Sequence, residues 1–354
     1  MNPRFVTQPT PPLGPDLLGT YPIRRIDDAQ DRGELVDSAL SDPATQVLVL
    51  DQGKVRTRQA EGGTRIAWAT TDDADIVAYL GTSADQSPIL LGRAPRTRPE
   101  DLQAGDPWPE DADPNAAVED ATDWLGLRDA APVLPREEST WLSVGIALMN
   151  WHQGSSFCPS CGSPTHPEAA GWARVCDAEG RELFPRTDPA VISAVVHTDD
   201  DGVDRLLLGH SVAWPEDRYS TFAGFVEAGE SLEAAVAREI REEAGVEIGE
   251  ATYMGSQPWP FPRSLMVGFI ARAESLDSAE PDGREISSVR WFTRDELEAA
   301  VVSGELRLPD RVSIAHHLIA AWYGGPLPQP PERSEDSGTA GQGPTTDSEG
   351  ATQR

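Results

Sequence analysis

Residues 224–246 read GFVEAGESLEAAVAREIREEAGV. The segment predicts a loop followed by a helix, because Ser231 is a favourable N-cap residue and Gly245 suits the left-handed conformation that ends many helices. Between these two residues the apolar side chains recur at the spacing of one helix face, which indicates packing on a core. These side chains are Leu232, Ala235, Val236 and Ile240.

Two glutamates of this helix lie on its apolar side. At about 100° per residue, Glu239 and Glu243 fall within about 20° of Leu232, and Glu242 lies on the flank. Burying unpaired carboxylates costs several kcal/mol each, so these groups require cations. Arg238 and divalent metal ions are the expected partners, since Mg²⁺ and Mn²⁺ take oxygen ligands and bridge them to phosphate. An ordinary amphipathic helix with a solvated acidic face would place its acids opposite the apolar stripe.

The segment resembles the Nudix box, the sequence motif of a family of hydrolases, at every position that the motif defines. The resemblance implies a metal-dependent hydrolase of nucleoside diphosphates linked to another group, with Glu239, Glu243 and the Ala223 carbonyl as metal ligands. It also implies that Glu242 or Glu243 orients or deprotonates the attacking water and that Arg238 holds the glutamates. The matching residues are Gly224, Glu230, Arg238, Glu239, Ile240, Glu242, Glu243, Gly245 and Val246.

A proline-rich segment follows the box and reads SQPWPFPRS over residues 256–264. Its prolines predict a rigid extended arm whose Trp259 and Phe261 can stack on flat rings; the alternative is a stiff turn that packs both rings into the core. The segment resembles the signature of the NADH pyrophosphatase branch of the family, and this resemblance covers about residues 124–323. It implies contacts to a dinucleotide from Gln257, Pro258, Trp259, Pro260, Phe261, Pro262, Arg263 and Ser264.

Four further residues are assigned roles by the same resemblance. Glu285 corresponds to a distant metal-binding glutamate, and Phe225 can stack on a ring of the substrate. Phe184 stands where a relative can have a tyrosine near the ligand, and Ala315 matches a small residue that lines the pocket. Plain core packing is the alternative for Phe184 and Ala315.

The chain's three cysteines predict a metal site. They are Cys158, Cys161 and Cys176. An odd number of clustered cysteines in a cytosolic protein favours metal over disulfides, and the Cys-x-x-Cys-Gly run is typical of a zinc ribbon. Structural zinc takes four ligands, whereas the fourth cysteine of the family pattern is replaced here by Glu179. The side chains that could instead complete the site are those of His166 and Asp177, and a metal-free loop with reduced thiols is the remaining alternative.

The predicted fold class is α+β, with a Nudix α-β-α sandwich preceded by a small zinc-ribbon-like unit and a mixed α/β N-terminal domain. Apolar runs at 190–196 and 205–208 predict a strand hairpin, strands are expected at 252–257, 265–273 and 288–292, and helices at 294–303 and 309–323. The predicted organisation is a disordered segment 1–20, an N-terminal domain 21–123 that ends in an acidic linker 93–123, a helix and ribbon unit 124–186, a Nudix domain 187–323, and a disordered tail 324–354.

Composition limits where and on what the protein acts. The net charge of -30, from 59 acids and 29 bases, disfavours general nucleic-acid binding but leaves room for a local arginine-lined mouth. No stretch reaches the roughly 18 apolar residues of a membrane span, and residues 1–15 lack the apolar core of a secretory signal. We therefore expect a cytoplasmic protein with no membrane partner.

The resemblance implies hydrolysis of NAD(H) to nicotinamide mononucleotide and AMP, and in some members of the branch removal of NAD caps from RNA 5′ ends. It further implies Mg²⁺ or Mn²⁺ as cofactor, structural Zn²⁺ and a homodimer. Two alternatives stay open at this point. One is a Nudix hydrolase of ADP-ribose or a diadenosine polyphosphate, and the other is a non-catalytic nucleotide sensor.

Overall fold

The computed structural model describes residues 13, 17–19, 32–94, 123–200, 202–277 and 279–330. Most of the segment 1–20, of the acidic linker 93–123 and of the tail 324–354, for which the sequence predicts disorder or a linker, lies outside these residues. Three sheets organise the described part of the chain. None of the described helices is both long enough and apolar enough to cross a membrane.

The first sheet contains six strands in the order β3-β2-β1-β5-β4, with β6 paired to β2. The elements are α1 (Arg32–Ser41), β1 (Gln46–Asp51), β2 (Lys54–Ala60), β3 (Gly63–Ile66), β4 (Asp75–Thr82), β5 (Pro88–Arg93) and β6 (Asp123–Gly126). The runs 45–50 and 88–91, which have strand composition, form β1 and β5, and these two strands pair in parallel. The sheet therefore agrees with the mixed N-terminal domain predicted from the sequence.

One face of this sheet is covered by a long helix that leads towards the rest of the chain. The helices here are α2 (Leu127–Ala130) and α3 (Arg136–Gly154). Trp141 and Leu142 of α3 are buried against Leu48 and Leu91 of the sheet. A Cβ atom at Gly145 would lie 2.6 Å from Leu48 Cδ2, so a larger residue there would displace the Leu48 side chain.

The second unit is a small ribbon of three strands in the order β7-β8-β9. They are β7 (Thr165–Glu168), β8 (Ala173–Cys176) and β9 (Glu182–Leu183). The ribbon is fixed to the N-terminal sheet where the Trp172 indole N–H donates to the Tyr79 carbonyl at 2.8 Å. A Cβ at Gly171 would lie 2.5 Å from the Val77 carbonyl oxygen, so the two backbones approach closely there.

The third unit is a mixed six-stranded sheet in the order β13-β14-β10-β11-β15, with β12 paired to β10. Its strands are β10 (Asp188–Thr198), β11 (Asp204–Ser211), β12 (Phe222–Phe225), β13 (Ile248–Trp259), β14 (Ser264–Ala273) and β15 (Ile286–Phe292). Its helices are α4 (Leu232–Ala244), α5 (Arg294–Val302) and α6 (Ile314–Tyr323). The predicted hairpin is β10–β11, in which Val196 pairs with Leu206.

The two faces of this sheet carry different helices. Val191 and Val195 of β10 pack with the apolar side of α4, whereas Ile192 and Ala194 pack with α5 and α6. This alternation is the period of two expected for a strand buried on both faces. The α-β-α sandwich and the α+β class predicted from the sequence are thus confirmed.

Two elements differ from the prediction. The last helix begins at Ile314 rather than at residue 309, because the Ser313 amide bonds the Asp310 carbonyl in a turn and the Ser313 hydroxyl then caps the helix. The predicted extended arm is instead the end of β13 and a turn into β14, in which Trp259 pairs with Ser264. Residues 256–259 are therefore held by a neighbouring strand and not by their prolines alone.

Candidate active site

The loop and helix of residues 224–246 form as the sequence predicts. The Ser231 hydroxyl accepts a hydrogen bond from the Ala234 amide, and Gly245 has φ 68° with its amide bonded to the Arg241 carbonyl. The α4 side chains that contact the sheet are apolar, but Glu243 is only 8% exposed. The Glu239 side chain is 15% exposed and that of Glu242 is 60% exposed. Two carboxylates therefore lie on the inner side of the helix and one on its outer edge.

Arg238 joins the acidic groups of the loop and the helix. Its Nε and Nη2 donate to the two carboxylate oxygens of Glu230, each at 2.9 Å. Its Nη1 donates to Glu239 Oε1 at 2.8 Å and to Glu242 Oε2 at 3.1 Å. Nη2 also donates to the Phe225 carbonyl at 2.9 Å. Hydrogen bonding, first of all to Glu230, raises the pKa of Arg238, so this charge is permanent and fixes the orientation of three carboxylates.

Glu243 lacks the support that Arg238 gives its neighbours. Its Oε2 atom is buried and has no hydrogen-bond partner among the described residues. Burial, followed by the charges of Glu239 and Glu285, raises the pKa of Glu243 to about 8. A buried carboxylate in this state is costly unless a cation neutralises it, so the donor set suits a divalent metal ion.

The box glycine leaves room for the carboxylate of Glu239. A Cβ atom at Gly224 would lie 2.0 Å from both Glu239 Cδ and Glu239 Oε1. Ala223, the residue before it, pairs with Ile192 in the centre of the sheet, and its amide lowers the pKa of Glu243 through a hydrogen bond. The β12 backbone and the two inner glutamates therefore form one oxygen-rich cradle, in the position where the resemblance implies metal ligands.

Glu285 reaches this cradle through a loop fixed to the end of α4. The Asp282 amide donates to the Glu243 carbonyl at 3.3 Å, and the Glu280 amide donates to the Ala244 carbonyl at 2.9 Å. The Asp282 carboxylate accepts from the Glu285 amide at 3.2 Å and from the Ile286 amide at 2.8 Å. Asp282 was not singled out from the sequence. Its spacing, three residues before Glu285, is that of a carboxylate that caps a turn.

We predict that Asp282→Ala weakens Mn²⁺ binding by about tenfold, because the loop that carries Glu285 loses its anchor. Asp282→Asn should weaken binding less, since an amide oxygen still accepts hydrogen bonds while the charge is gone. Titration of the metal-free protein with Mn²⁺ measures both effects. Glu280→Ala is the matched control, because Glu280 is exposed and bonds α4 through its backbone. Equal affinity in Asp282→Ala and wild type would refute this role.

The SQPWPFPRS segment divides into a buried half and an exposed half. Gln257 is 0% exposed. Its amide donates to the Val312 carbonyl and accepts from the Ile314 amide, both at 2.7 Å, so in the described chain it secures the start of α6. Ser264 and Pro260 are buried, Pro258 is half-buried, and Pro262 is exposed. Arg263 Nε donates to Asp188 Oδ2 at 2.7 Å.

The two aromatic rings of this segment lie together at the turn of the hairpin. Trp259 is half-buried and Phe261 is 41% exposed, with their centroids 5.1 Å apart in an edge arrangement. The Arg128 guanidinium lies 5.2 Å from the Trp259 centroid and 5.0 Å from the Phe261 centroid. The Asn150 amide donates to the Pro260 carbonyl at 3.0 Å and to the Pro262 carbonyl at 3.1 Å. Burial of both rings in the core, the alternative from the sequence, is wrong.

Arg128 and Asn150 are residues that sequence reasoning missed. Both belong to the segment before the ribbon, more than a hundred positions from the hairpin they contact. No local spacing connects them to Trp259, and only the packing of α2 and α3 against the hairpin brings them there. We describe them as positioning residues for the two rings.

Of three further residues predicted to contact the substrate, two have exposed side chains and one is buried. Phe184 is 59% and Phe225 58% exposed, which rules out core packing for Phe184. Ala315 is buried in the core beneath α6, as its packing alternative predicts. Phe225 pairs with Ala190, which shares a row with Met266 and Gln257 across the sheet. Three strand spacings, about 14 Å, therefore separate the backbone of Phe225 from that of Gln257, two residues before Trp259.

The three thiols and Glu179 gather in the ribbon. One ligand atom from each of Cys158, Cys161, Cys176 and Glu179 lies within 4.8 Å of the others. The Cys161 and Cys176 sulfurs are 3.5 Å apart. These separations suit a single tetrahedral ion. His166 and Asp177, the alternative ligands, instead bond each other at 2.6 Å.

Comparison with known proteins agrees with two of these units, the ribbon and the third sheet with its helices. A family model for the NUDIX domain matches residues 187–315, and one for the NADH pyrophosphatase zinc ribbon domain matches residues 155–184. The NAD-capped RNA hydrolase NudC of Mycobacterium bovis (strain BCG / Pasteur 1173P2) is 47% identical over 219 residues, 60% of this chain and 67% of its own length. The NAD-capped RNA hydrolase NUDT12 of Homo sapiens is 36% identical over 200 residues, 53% of this chain and 42% of its own.

Among solved structures, a NUDIX hydrolase from Nitrosomonas europaea covers 49% of this chain and 97% of its own, at 21% identity and a TM-score of 0.36. The family assignment depends on the sequence relatives and on the two matched domains, in the order ribbon then sandwich that the fold displays. The chain therefore belongs to the Nudix hydrolase family, in the branch that carries the NADH pyrophosphatase zinc ribbon.

Proposed function

We propose that this chain hydrolyses the pyrophosphate bond of NAD(H) to nicotinamide mononucleotide and AMP, and that it removes NAD caps from RNA 5′ ends. The observation that carries the proposal is that one sheet carries both the acidic cradle, where β12 meets α4, and the aromatic hairpin, where β13 turns into β14. The cradle would bind the pyrophosphate. The hairpin would stack on a second flat ring at the far end of the substrate. The names of the NudC and NUDT12 relatives support the decapping activity.

The cradle fits Mg²⁺ or Mn²⁺. Its donors are the carboxylates of Glu239, Glu243 and Glu285 with the Ala223 carbonyl, all oxygen atoms, which hard divalent ions prefer. The unpartnered Glu243 oxygen is the atom that most needs such an ion. When bound, these ions would neutralise charge on the two phosphates and make a coordinated water easier to deprotonate.

The chain's own residues supply orientation and proton transfer. Arg238 holds Glu239 towards the cradle and Glu242 at its outer edge. Glu242 or Glu243 orients the attacking water and accepts its proton, since both can reach the rim of the cradle from adjacent positions of one helix. The reaction needs no covalent intermediate with the protein, so no nucleophilic side chain is assigned.

The hairpin and Phe225 are assigned to the rings of the substrate. Trp259 and Phe261 stand beside the permanent charge of Arg128, and exposed Phe225 lies three strands away in the same sheet, about 14 Å from Gln257. That span suits a dinucleotide whose pyrophosphate lies between two rings. Phe184, also exposed, offers a third face for stacking but no hydrogen-bond donor. Gln257, Ser264 and Ala315 support this surface from beneath.

A different Nudix substrate, ADP-ribose or a diadenosine polyphosphate, is the main rival. ADP-ribose has one base and leaves the second ring surface without a partner. A sensor that binds without cleaving is disfavoured, because every glutamate of the box is present. Comparison of kcat/KM for NADH and ADP-ribose tests the proposal, and a clear preference for ADP-ribose would overturn it.

We further propose that Zn²⁺ binds Cys158, Cys161 and Cys176 with Glu179 as the fourth ligand. Backbone amides, first that of Cys161, lower the pKa of the Cys158 thiol, which favours the thiolate that binds metal. Arg181 bonds one Glu179 oxygen at 3.3 Å and leaves the other for the ion. Thiolates of this kind need a reducing compartment, in agreement with the cytoplasmic location expected from the sequence.

Elemental analysis of protein purified without chelator should find about one zinc per chain. Glu179→Cys should retain zinc longer against a chelator than wild type, because thiolate is the usual fourth ligand, and Glu179→Ala should lose it sooner. A stable, active chain that lacks every thiophilic metal would favour the metal-free loop instead.

We also propose a homodimer. Phe184, Phe225 and Phe261 are all exposed, and exposed large apolar side chains often mark association sites. A second copy would complete the substrate site beside these rings. Light scattering tests this, and a monomer at assay concentration would contradict it.

A further inference from the structure

A cavity adjoins the aromatic hairpin on the side of the N-terminal sheet. It has a volume of about 600 Å³ and lies between the β1–β2 turn, α2, α3 and the hairpin. Phe261 and Arg128 belong to its wall, so it is continuous with the ring surface proposed above. The acidic cradle contributes no residue to it. The cavity therefore lies beyond the rings and apart from the pyrophosphate.

The balance of positive and negative side chains around this cavity differs from that of the whole chain. Lys54, the only lysine in a chain of net charge -30, lines it together with Arg128. Asp51 lies opposite Lys54 across the β1–β2 turn, yet within the described ranges Lys54 forms no ion pair. Of the described residues in the wall, Asp129 alone is acidic. Two cations against one acid reverse the ratio of the whole sequence.

Neutral hydrogen-bonding groups complete the wall. The side chains of Gln52 and Gln153 are exposed and line the same space. Primary amides can both donate to and accept from the edges of nucleic-acid bases. Arg128 already lies over two aromatic rings, and guanidinium groups also stack on unpaired bases. The cavity thus combines phosphate-binding, base-reading and stacking groups.

We propose that this cavity binds the RNA chain that follows the NAD cap, with its first phosphodiester groups facing Lys54 and Arg128. The inference rests on the proposed function and names the substrate more closely. Free NAD(H) has no phosphate beyond its pyrophosphate, which the cradle would hold, so it offers no further phosphate to a separate cationic cavity. A capped RNA has such phosphates from its first internucleotide bond onward. The acidic remainder of the surface repels RNA held elsewhere.

The test compares two substrates in two variants. Lys54→Gln removes the cavity's lysine charge, and Arg58→Gln is the matched control, because it removes one charge from the same strand at a residue outside this cavity. We expect Lys54→Gln to lower kcat/KM for a short NAD-capped RNA about tenfold relative to kcat/KM for NADH. The ratio in Arg58→Gln should equal that of wild type.

Salt dependence gives an independent readout. Loss of one phosphate contact should make log KM for the capped RNA depend less steeply on log salt, by about 0.7 for a single strand. An equal loss on both substrates, or none on either, would overturn the subsite while leaving NADH cleavage intact. Failure of the wild-type chain to cleave NADH would instead refute the proposed function. The two failures are therefore distinguishable.

Discussion

Glu243→Gln should lower the turnover of NADH by about 10² or more while leaving the fold intact. Glutamine has nearly the same shape, so the packing of α4 is kept and only the negative charge is lost. That charge is the one whose oxygen is buried without a partner among the described residues. Steady-state kinetics at saturating Mg²⁺ or Mn²⁺ measure the effect. Glu233→Gln, at an exposed position in the first turn of the same helix, is the matched control.

Stability measurements on the same variant separate a metal ligand from a structural glutamate. The pKa of Glu243 is raised to about 8, so above that pH the metal-free wild type must bury a charge that the glutamine variant does not carry. The variant should therefore melt at a higher temperature than wild type without metal at alkaline pH. Added Mg²⁺ should stabilise wild type and have little effect on the variant. Near-normal turnover at saturating metal would refute the metal-site assignment.

Trp259→Ala should reduce kcat/KM for NADH by about 5- to 150-fold, the range expected from loss of one base-aromatic stack. ADP-ribose, which has a single base, should lose much less. The ring stands beside Phe261 and under Arg128, so its removal also takes one contact from each of these groups. Both substrates are assayed on the same preparation. The quantity compared is the fold loss in kcat/KM for NADH divided by the fold loss for ADP-ribose.

The control for this variant must remove a similar ring elsewhere. Trp124→Ala serves, because Arg56 lies 5.1 Å over the Trp124 ring in the N-terminal sheet, away from the hairpin. It should leave the NADH to ADP-ribose ratio unchanged. Light scattering checks that both variants keep the wild-type oligomeric state. If Trp259→Ala is folded and assembled and both substrates lose equally, the hairpin is only scaffolding.

The sequence predicts the parts of this fold that local periodicity determines. The stripe of Leu232, Val236 and Ile240 indicates one helix face, and the same angular argument places Glu239 and Glu243 on it. The β10–β11 hairpin follows from two apolar runs around a turn. In each case the signal lies within a few residues of the feature it predicts.

The remaining parts of the site depend on contacts between distant segments. Pairing of Trp259 with Ser264 turns the expected arm into a hairpin. The Gln257 amide bonds the backbone at the start of α6 and does not face solvent. Arg128 and Asn150 reach the hairpin from a different unit of the chain. Asp282 was overlooked because its hydrogen bonds to backbone amides leave no pattern besides spacing.

In the zinc ribbon, the replacement of the fourth cysteine by glutamate becomes understandable from the fold. The sequence shows only that Glu179 stands where the family pattern has cysteine. The fold brings this carboxylate within reach of three thiols and pairs His166 with Asp177 instead. The proposal of Glu179 as fourth ligand therefore rests on the arrangement of the ribbon strands.

Product analysis after incubation with NADH tests the central claim most directly. The purified chain is mixed with NADH and Mg²⁺ or Mn²⁺, and the nucleotides are separated and identified. The acidic cradle and the aromatic hairpin together predict reduced nicotinamide mononucleotide and AMP in equal amounts, with no reaction when metal is removed by chelator. Unchanged NADH in the presence of metal, or products formed by cleavage at a bond other than the pyrophosphate, would contradict the account.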